Sequence, residues 1–399
     1  MAATVLYIAD LMLWCFMAVS VLYVFFFALS SLLPAKKPTA HPPITPSPRS
    51  HEAVSFLVLF PAYSEDRVIV DSVETILRQD YPKELYHVAV ISDNMLEETN
   101  RQLATMPITL LTPSFDNSSK AKSLQYAIKN LEPLQTVVVL DADNHVPVDF
   151  LSRLSSLCQQ GHRAIQCHRT AKNSDNHIAV LDGVSEEINN SLFRRGHNRI
   201  GLSSALIGSG MCFSYQWFAE HVDLLDSAVE DRELEAMLMK EGVHVHYAED
   251  IYVMDEKVSS GDNFQRQRLR WMTGQVQTLV RMLPHVPHAI CHGNVDYLDK
   301  TLQQALIPRS LLLVFIPILA IITTIVSLFT HIPLFIPLKW WGLQAVLCLS
   351  LYLAIPAKLR TGAVLRKVLQ VPFLVWRMVK NVGQISTRNK EFIHTSHGE

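Results

Sequence analysis

Charge is scarce in this chain. Only 18% of its 399 residues are Asp, Glu, Lys or Arg, and the formal net charge is −2. That balance excludes the basic footprint of a nucleic-acid binder, so no nucleic-acid partner is expected. The cysteines are scattered without C-x-x-C spacing and read as reduced and structural. No G-x-G-x-x-G follows the first apolar run, which excludes the dinucleotide fingerprint. G-x-x-x-x-G-K-[ST] is missing too, which removes the ordinary P-loop nucleotidases. No Ser-His-Asp arrangement can be assembled from local sequence. What is abundant is apolar: 49% of residues are hydrophobic, and the mean hydropathy is +0.17. Length and composition together favour one domain plus membrane segments.

Residues 11–33 carry no charge and are long enough to cross a bilayer. No Lys or Arg precedes them, while Lys36 and Lys37 follow, the reverse of a signal peptide's flanks. The run therefore reads as an anchor in segment 1–33 with its C-terminal flank in the cytoplasm. A proline-rich stretch, 34–52, should be an extended spacer. Uncharged runs at 311–329 and 340–357 read as a transmembrane hairpin within 308–358. Pro333 and Pro337 are expected in its turn, with Trp340 and Trp341 at an interface. Beyond it, the 359–399 tail mixes basic and apolar residues at helical spacing around Pro372, suited to a helix on anionic lipid. All three spans agree on a multi-pass protein of the inner or plasma membrane, with catalytic domain and C-terminus cytoplasmic.

Between the anchor and the hairpin lies a domain at 53–260, followed by an interfacial segment at 261–307. Apolar runs at 54–60, 87–92, 108–112 and 136–140 read as strands. Helical periodicity covers 68–79, 96–105 and 120–131. This order predicts an α/β fold with a mostly parallel sheet and flanking helices. In such sheets ligands bind outside the carboxyl ends of the strands. Asp141 and Asp143 follow the fourth run there, as D-A-D, where two carboxylates can hold a hard cation against a phosphate. Pro61, Ala62 and Glu65 end the first run and Asp93 ends the second, so all should line one crevice. Asp93 reads equally as a helix N-cap. Lys120 and Lys122 can meet phosphate or solvent.

Farther on, Gly208, Ser209, Gly210 and Met211 permit close backbone approach to a ligand, or simply form a tight turn. Glu230 and Asp231 can cap a helix ending at Gly242, or Asp231 can take a proton as general base. Gln267, Arg270 and Trp271 share one helix face. There Arg can grip a diphosphate and Trp can offer a flat face to a sugar ring. An amphipathic interfacial helix fits the same stretch. His244 and His246 read as structural, and His145 as a neighbour of the aspartates.

The order P-A-Y-x-E, D, D-A-D, G-S-G-M, E-D, Q-x-x-R-W resembles family 2 glycosyltransferases of the GT-A fold. It resembles more narrowly the membrane-bound branch of cellulose, chitin-oligosaccharide and hyaluronan synthases. The resemblance covers about residues 54–283, and Q-x-x-R-W is its most specific part. It implies a UDP-sugar donor, with Pro61, Ala62, Glu65 and Asp93 on the uridine and Lys120 near the nucleotide. It implies Mg²⁺ or Mn²⁺ on Asp141 and Asp143, and Asp231 as catalytic base with Glu230 beside it. Gln267, Arg270 and Trp271 would hold the diphosphate and the acceptor's terminal sugar, with 208–211 lining the acceptor side. The implied reaction is one inverting displacement that leaves a β-linked product on a growing polysaccharide or oligosaccharide. Single-sugar transfer to a membrane lipid is the alternative, and a non-catalytic scaffold or nucleotide-sugar sensor is a second. Ser64 stands where the family usually has Asn, and three spans are fewer than in cellulose synthase. A homo-oligomer, a channel partner, or a lipid-linked or short acceptor would accommodate that difference.

Overall fold

The computed structural model describes residues 2–35, 53–173, 177–227, 229–257, 261–329 and 335–362. Most of the proline-rich spacer, Pro333, and the basic tail beyond residue 362 therefore lie outside the described residues. In chain order the elements begin with α1 (Ala2–Ser30), β1 (Phe56–Tyr63), α2 (Ile69–Leu77), β2 (Tyr86–Asp93) and α3 (Glu97–Ala104). Next come β3 (Thr109–Leu111), α4 (Lys120–Asn130), β4 (Thr136–Val139), α5 (Phe150–Gln159) and β5 (Ala164–Ala171). Then follow α6 (His177–Asn189), α7 (His197–Ile200), β6 (Met211–Ser214), α8 (Tyr215–His221), α9 (Glu230–Lys240) and β7 (Val245–Asp255). The chain continues through α10 (Gly261–Met282), α11 (Val286–Cys291), α12 (Val295–Ala305), α13 (Arg309–Phe329) and α14 (Phe335–Ala354).

The seven strands form one sheet in the order β3-β2-β1-β4-β6-β5-β7. Alternate side chains of β1 feed two apolar layers, Leu57 and Leu59 on one face and Phe56, Val58 and Phe60 on the other. Burial on both faces is why β1, β2 and β4 read as unbroken apolar runs. β6 alone among the described strands runs against its neighbours, antiparallel to β4 and β5. That reversal brings the residues before β6 to the edge where the other strands end.

Pro61 and Ala62 belong to β1 itself, opposite Ile91 and Ser92 of β2, and not to a loop. A proline is tolerated there because β4 stops pairing at Leu59. Odd-numbered residues of β1 face β4, as the bonds from Thr136 to Ser55 and Leu140 to Leu59 show. The amide that Pro61 lacks therefore points past the end of the ladder.

Among the described residues three helices are long and apolar enough to cross a membrane: Thr4–Ser30, Arg309–Phe329 and Ile336–Ala354. The first begins earlier than its uncharged run because Asp10 is paired. Lys339 lies on the Asp10 carboxylate, and Trp340 Nε1 donates to it at 2.9 Å. The same pair lets α14 include Lys339. Pro337, expected in the connecting turn, instead lies in the first turn of α14, where its missing amide needs no partner; the helix stops before Pro356. Trp340 is a correction. It is fully buried, packed with Met17 of α1 and Leu312 of α13, because its N–H is satisfied inside the bundle. Trp341 is 42% exposed.

The bundle is docked on the α/β domain. Between α6 and α7 the helix widens into a π-helical stretch, Asn190–Gly196. A Cβ on Gly196 would stand 2.5 Å from the Phe27 carbonyl oxygen of α1. The Phe27 ring stacks on His197 at 3.6 Å, and Tyr23 bonds both His197 (3.0 Å) and Asp299 of α12 (2.9 Å). Gly196→Ala is expected to force these backbones apart and to destabilise the full chain by about 1–3 kcal/mol. A wild-type melting temperature in detergent would show that the contact is not tight.

Candidate active site

The carboxyl ends of β1, β2, β4, β5 and β7 and the reversed start of β6 converge on one cavity of 480 Å³. Asp141 and Asp143 lie just past β4. Asp143 is buried, and its two oxygens accept from Glu256 N at 2.8 Å and Asn144 Nδ2 at 3.0 Å. The Asp141 backbone amide is tied to Asn144 Oδ1 (2.9 Å) and Ser209 Oγ (3.2 Å). Both aspartates line the cavity, as do Pro61, Ala62, Glu65 and Asp93.

Asp93 is not a helix cap. α3 starts at Glu97, and the Leu96 amide is taken by Asp66 Oδ1 at 2.8 Å. Burial raises the Asp93 pKa, against the bond from Ser118 and the charge of Lys122. Ser64 and Asn94, in left-handed backbone at φ 53° and 55°, clasp one another through Asn94 Nδ2 and Ser64 Oγ at 2.8 Å. Two non-glycine residues in that region at adjoining strand ends mark a constrained turn beside the cavity. Lys122 turns away and donates to Asn117 O.

Lys120 opens α4 and joins the two acidic groups of the cavity. Its ammonium contacts Asp141 and the Gly208 carbonyl, and lies 3.4 Å from Glu230. Burial opposes its charge, but Asp141 and Glu230 outweigh burial and raise its pKa. Gly208 has φ +81°, and a Cβ there would meet Glu230 Oε1 at 3.6 Å and Asp231 Oδ2 and Lys120 Nζ at 3.7 Å each. The glycine turn thus lies beside both carboxylates, and its positive φ is what calls for glycine there.

Glu230 and Asp231 form the first turn of α9, where the helix dipole favours anions. No side chain caps α9 at Val229, but Asp231 Oδ1 accepts from the first-turn amide of Arg232 at 2.8 Å. Glu233 accepts from the Asp226 and Ser227 amides ahead of the helix at 3.0 Å. Burial raises the Glu230 pKa above the ordinary 4.5, opposed by Lys120 and assisted by Asp231. A raised carboxyl contributes stability below pH 4.5 that is lost as pH rises through its folded value. Glu230→Gln does not titrate, so it is expected to melt above wild type near about pH 7 and to lose that advantage by about pH 4. Melting curves across this range check it, and a constant difference would refute it.

Arg270 and Trp271 line the cavity from α10. They are brought in by Gly274, one turn on, whose Cβ would stand 2.6 Å from Val229 Cγ1, just before Glu230. Only glycine lets α10 approach α9 so closely. Gln267 lies on the same helix, and its side chain is outside the described residues.

Of residues 208–211, Gly208 alone is at the cavity wall. Ser209 is fully buried and binds Asn144 and the Asp141 amide, so it holds the aspartate turn. Gly210 packs against Val253, and Met211 is buried in β6 opposite Val139. The expectation that Ser209, Gly210 and Met211 face a ligand is therefore corrected: sheet pairing turns them inward. His145 contacts Lys172 at 2.9 Å. His246 stacks on His162 at 4.0 Å, with burial pushing its pKa down to about 3. His244 lies by Ser203 and Asp296.

Sequence reasoning missed a buried ionic network on the same cavity. Arg169, from β5, pairs with Glu186 of α6 (3.2 Å) and Asp255 of β7 (3.4 Å), and donates to Ile207 O at 3.3 Å. Arg194 adds a 2.9 Å bond to Glu186, and Lys257 a 2.8 Å bond to Asp255. Burial works to raise the Glu186 pKa, but Arg169 and Arg194 overcome it and hold it low. Charged residues at the ends of two more strands, Arg169 and Asp255, were the available signal.

A sheet of this order, with an aspartate pair at the end of β4 and a cavity at its carboxyl edge, is the GT-A type of fold seen in glycosyltransferases. The family model described as "Glycosyltransferase like family 2" matches residues 53–274, and the chain belongs to that family. No curated protein matches it in sequence. Among solved structures it is similar to the mannosyltransferase PcManGT from Pyrobaculum calidifontis in complex with GDP-Man and Mn²⁺. That likeness has a TM-score of 0.53 and 18% identity over 86% of this chain and 96% of the other. S. aureus TarS 1–349 in complex with UDP-GlcNAc aligns at TM-score 0.42 and 14% identity, over 83% and 92%.

Proposed function

We propose that this chain is a membrane-embedded, metal-dependent, inverting β-glycosyltransferase moving a sugar from a UDP-sugar to a growing saccharide. The observation that carries the reading is the single cavity shared by Asp141, Asp143, Glu230, Asp231, Arg270 and Trp271. Pro61, Ala62, Glu65 and Asp93 then hold the uridine, and Lys120 and Arg270 the diphosphate. The complex of PcManGT with a nucleotide-sugar and Mn²⁺ supports a donor and a cation of those classes.

Asp141 and Asp143 fit Mg²⁺ or Mn²⁺: both offer hard oxygens on the cavity wall, and the Glu256 and Asn144 bonds orient one of them. Among the described residues no group of three His, Cys, Asp or Glu could hold a metal unaided. The diphosphate and water would supply the other ligands. When bound, the cation offsets charge on the leaving diphosphate.

The chain's own residues account for the rest. Asp231 accepts the proton of the acceptor hydroxyl as that oxygen bonds to C1 of an α-linked sugar. The C1–O bond breaks, and its electron pair leaves with UDP in the grip of Arg270. One inversion leaves a β linkage. Trp271 offers its face to the acceptor's terminal sugar, and Gln267 joins it on α10. Lys36, Lys37 and the basic tail favour a cytoplasmic catalytic domain.

The test incubates native membranes bearing the chain with labelled UDP-sugars and GDP-mannose, and follows incorporation and UDP release. Transfer from a UDP-sugar that stops on chelation and returns with Mn²⁺ or Mg²⁺ is expected. No incorporation from any donor overturns the reading and leaves a nucleotide-binding scaffold.

A further inference from the structure

The catalytic cavity does not end at the acceptor side of Asp231. It continues between α6 and the membrane bundle, where aliphatic side chains join Asp182, Ser185 and Asn189 of α6 on its wall. Val24 of α1, Leu313 of α13 and Leu351 of α14 line it, one from each described helix long and apolar enough to span a membrane. Val184 and Ile188 of α6 line it from the domain side. A saccharide strand carries hydroxyls along its whole length, and these aliphatic side chains offer them no hydrogen bond. An acyl or isoprenoid chain matches the wall, and the three spans place this end of the cavity beside lipid.

We infer that the acceptor is a lipid-linked saccharide, its sugar headgroup at Trp271 and Asp231 and its aliphatic tail in the vestibule between α6, α1, α13 and α14. The inference rests on the glycosyl-transfer reading above and narrows its acceptor. A proton-accepting Asp231 calls for a hydroxyl nucleophile, which a sugar headgroup has and an ionised lipid phosphate lacks. A polar band lies between the two ends: Arg309 donates to Ser185 O and Oγ at 2.8 and 2.7 Å, and Arg232 to Gln304. That band suits the linkage between headgroup and tail. The reaction balances as before: the headgroup O–H proton passes to Asp231, its oxygen bonds to C1, and UDP leaves with the electron pair.

Native membranes bearing the full chain, incubated with the labelled donor panel and extracted with butanol, decide it. Label in the organic phase is expected. Release by mild acid identifies an isoprenoid-phosphate carrier, and release by mild alkali an acylglycerol. Label found only in water-soluble product, with UDP released, overturns the lipid acceptor but leaves glycosyl transfer standing. No incorporation from any donor overturns both. Val184→Trp and the half-buried Leu313→Trp are each expected to keep UDP affinity while lowering lipid labelling by about tenfold or more. UDP titration of each variant reports folding, and Leu313→Trp decides if Val184→Trp does not fold. Undiminished lipid labelling in a variant that binds UDP removes the vestibule as the tail site.

Discussion

Asp231→Asn is expected to lower transfer by about 10²–10⁴-fold while leaving UDP affinity and melting temperature near wild type. The substitution keeps the shape of the side chain. Its oxygen can still accept from the Arg232 amide, now 2.8 Å from Asp231 Oδ1, so the first turn of α9 should persist. What is lost is the carboxylate proposed to take the acceptor proton. Gly208 and Lys120 pack on the same pair of carboxylates, so the amide changes charge without opening a gap. The measurement is UDP release with and without acceptor, beside a UDP titration. Full turnover would remove Asp231 as base; lost UDP binding would move the residue to the donor half of the site.

The second large effect is expected at Asp143. Asp143→Asn should raise the Mn²⁺ concentration for half-maximal activity by about tenfold or more, because a neutral amide is a poor ligand for a hard cation. The carboxylate accepts two hydrogen bonds, from Glu256 N and Asn144 Nδ2. An amide can satisfy only one with its oxygen and turns an N–H₂ toward the other donor. The turn after β4 should therefore loosen as well. A metal titration of activity and of UDP binding separates the two consequences. An unchanged titration counts against the cation role.

Much of the donor half was legible in the chain. The apolar runs that became β1, β2 and β4 are buried on both faces, so their composition announces them directly, whereas β3 at the edge is only half-buried. Placing Asp93 and Asp141 at strand ends on one edge of the sheet needs only the rule that ligands meet parallel sheets at their carboxyl edge; that β1 runs between them is a tertiary result. That Arg270 and Trp271 both flank the helix face of position 267 follows from the i, i+3 and i+4 spacing. Other features depend on pairing between distant residues. Asp10 reads as the wrong residue for a membrane helix until Lys339 and Trp340 are seen on it. Ser209 and Met211 read as ligand-facing until β4 and Asn144 turn them inward.

Local patterning alone determined that a metal-capable aspartate pair, a mostly parallel sheet and three apolar spans share one chain. That information is contained in short-range periodicity and in the scarcity of charge. Only the tertiary structure decided that β6 runs backwards and lays Gly208 on Glu230 and Asp231. It also decided that the Arg169 network braces the site, and that the cavity opens toward α1, α13 and α14. The physical reason is the range of the interactions. Strand direction, a buried ion pair and a helix seated on a glycine are set by groups far apart in sequence, whose partners no local window contains.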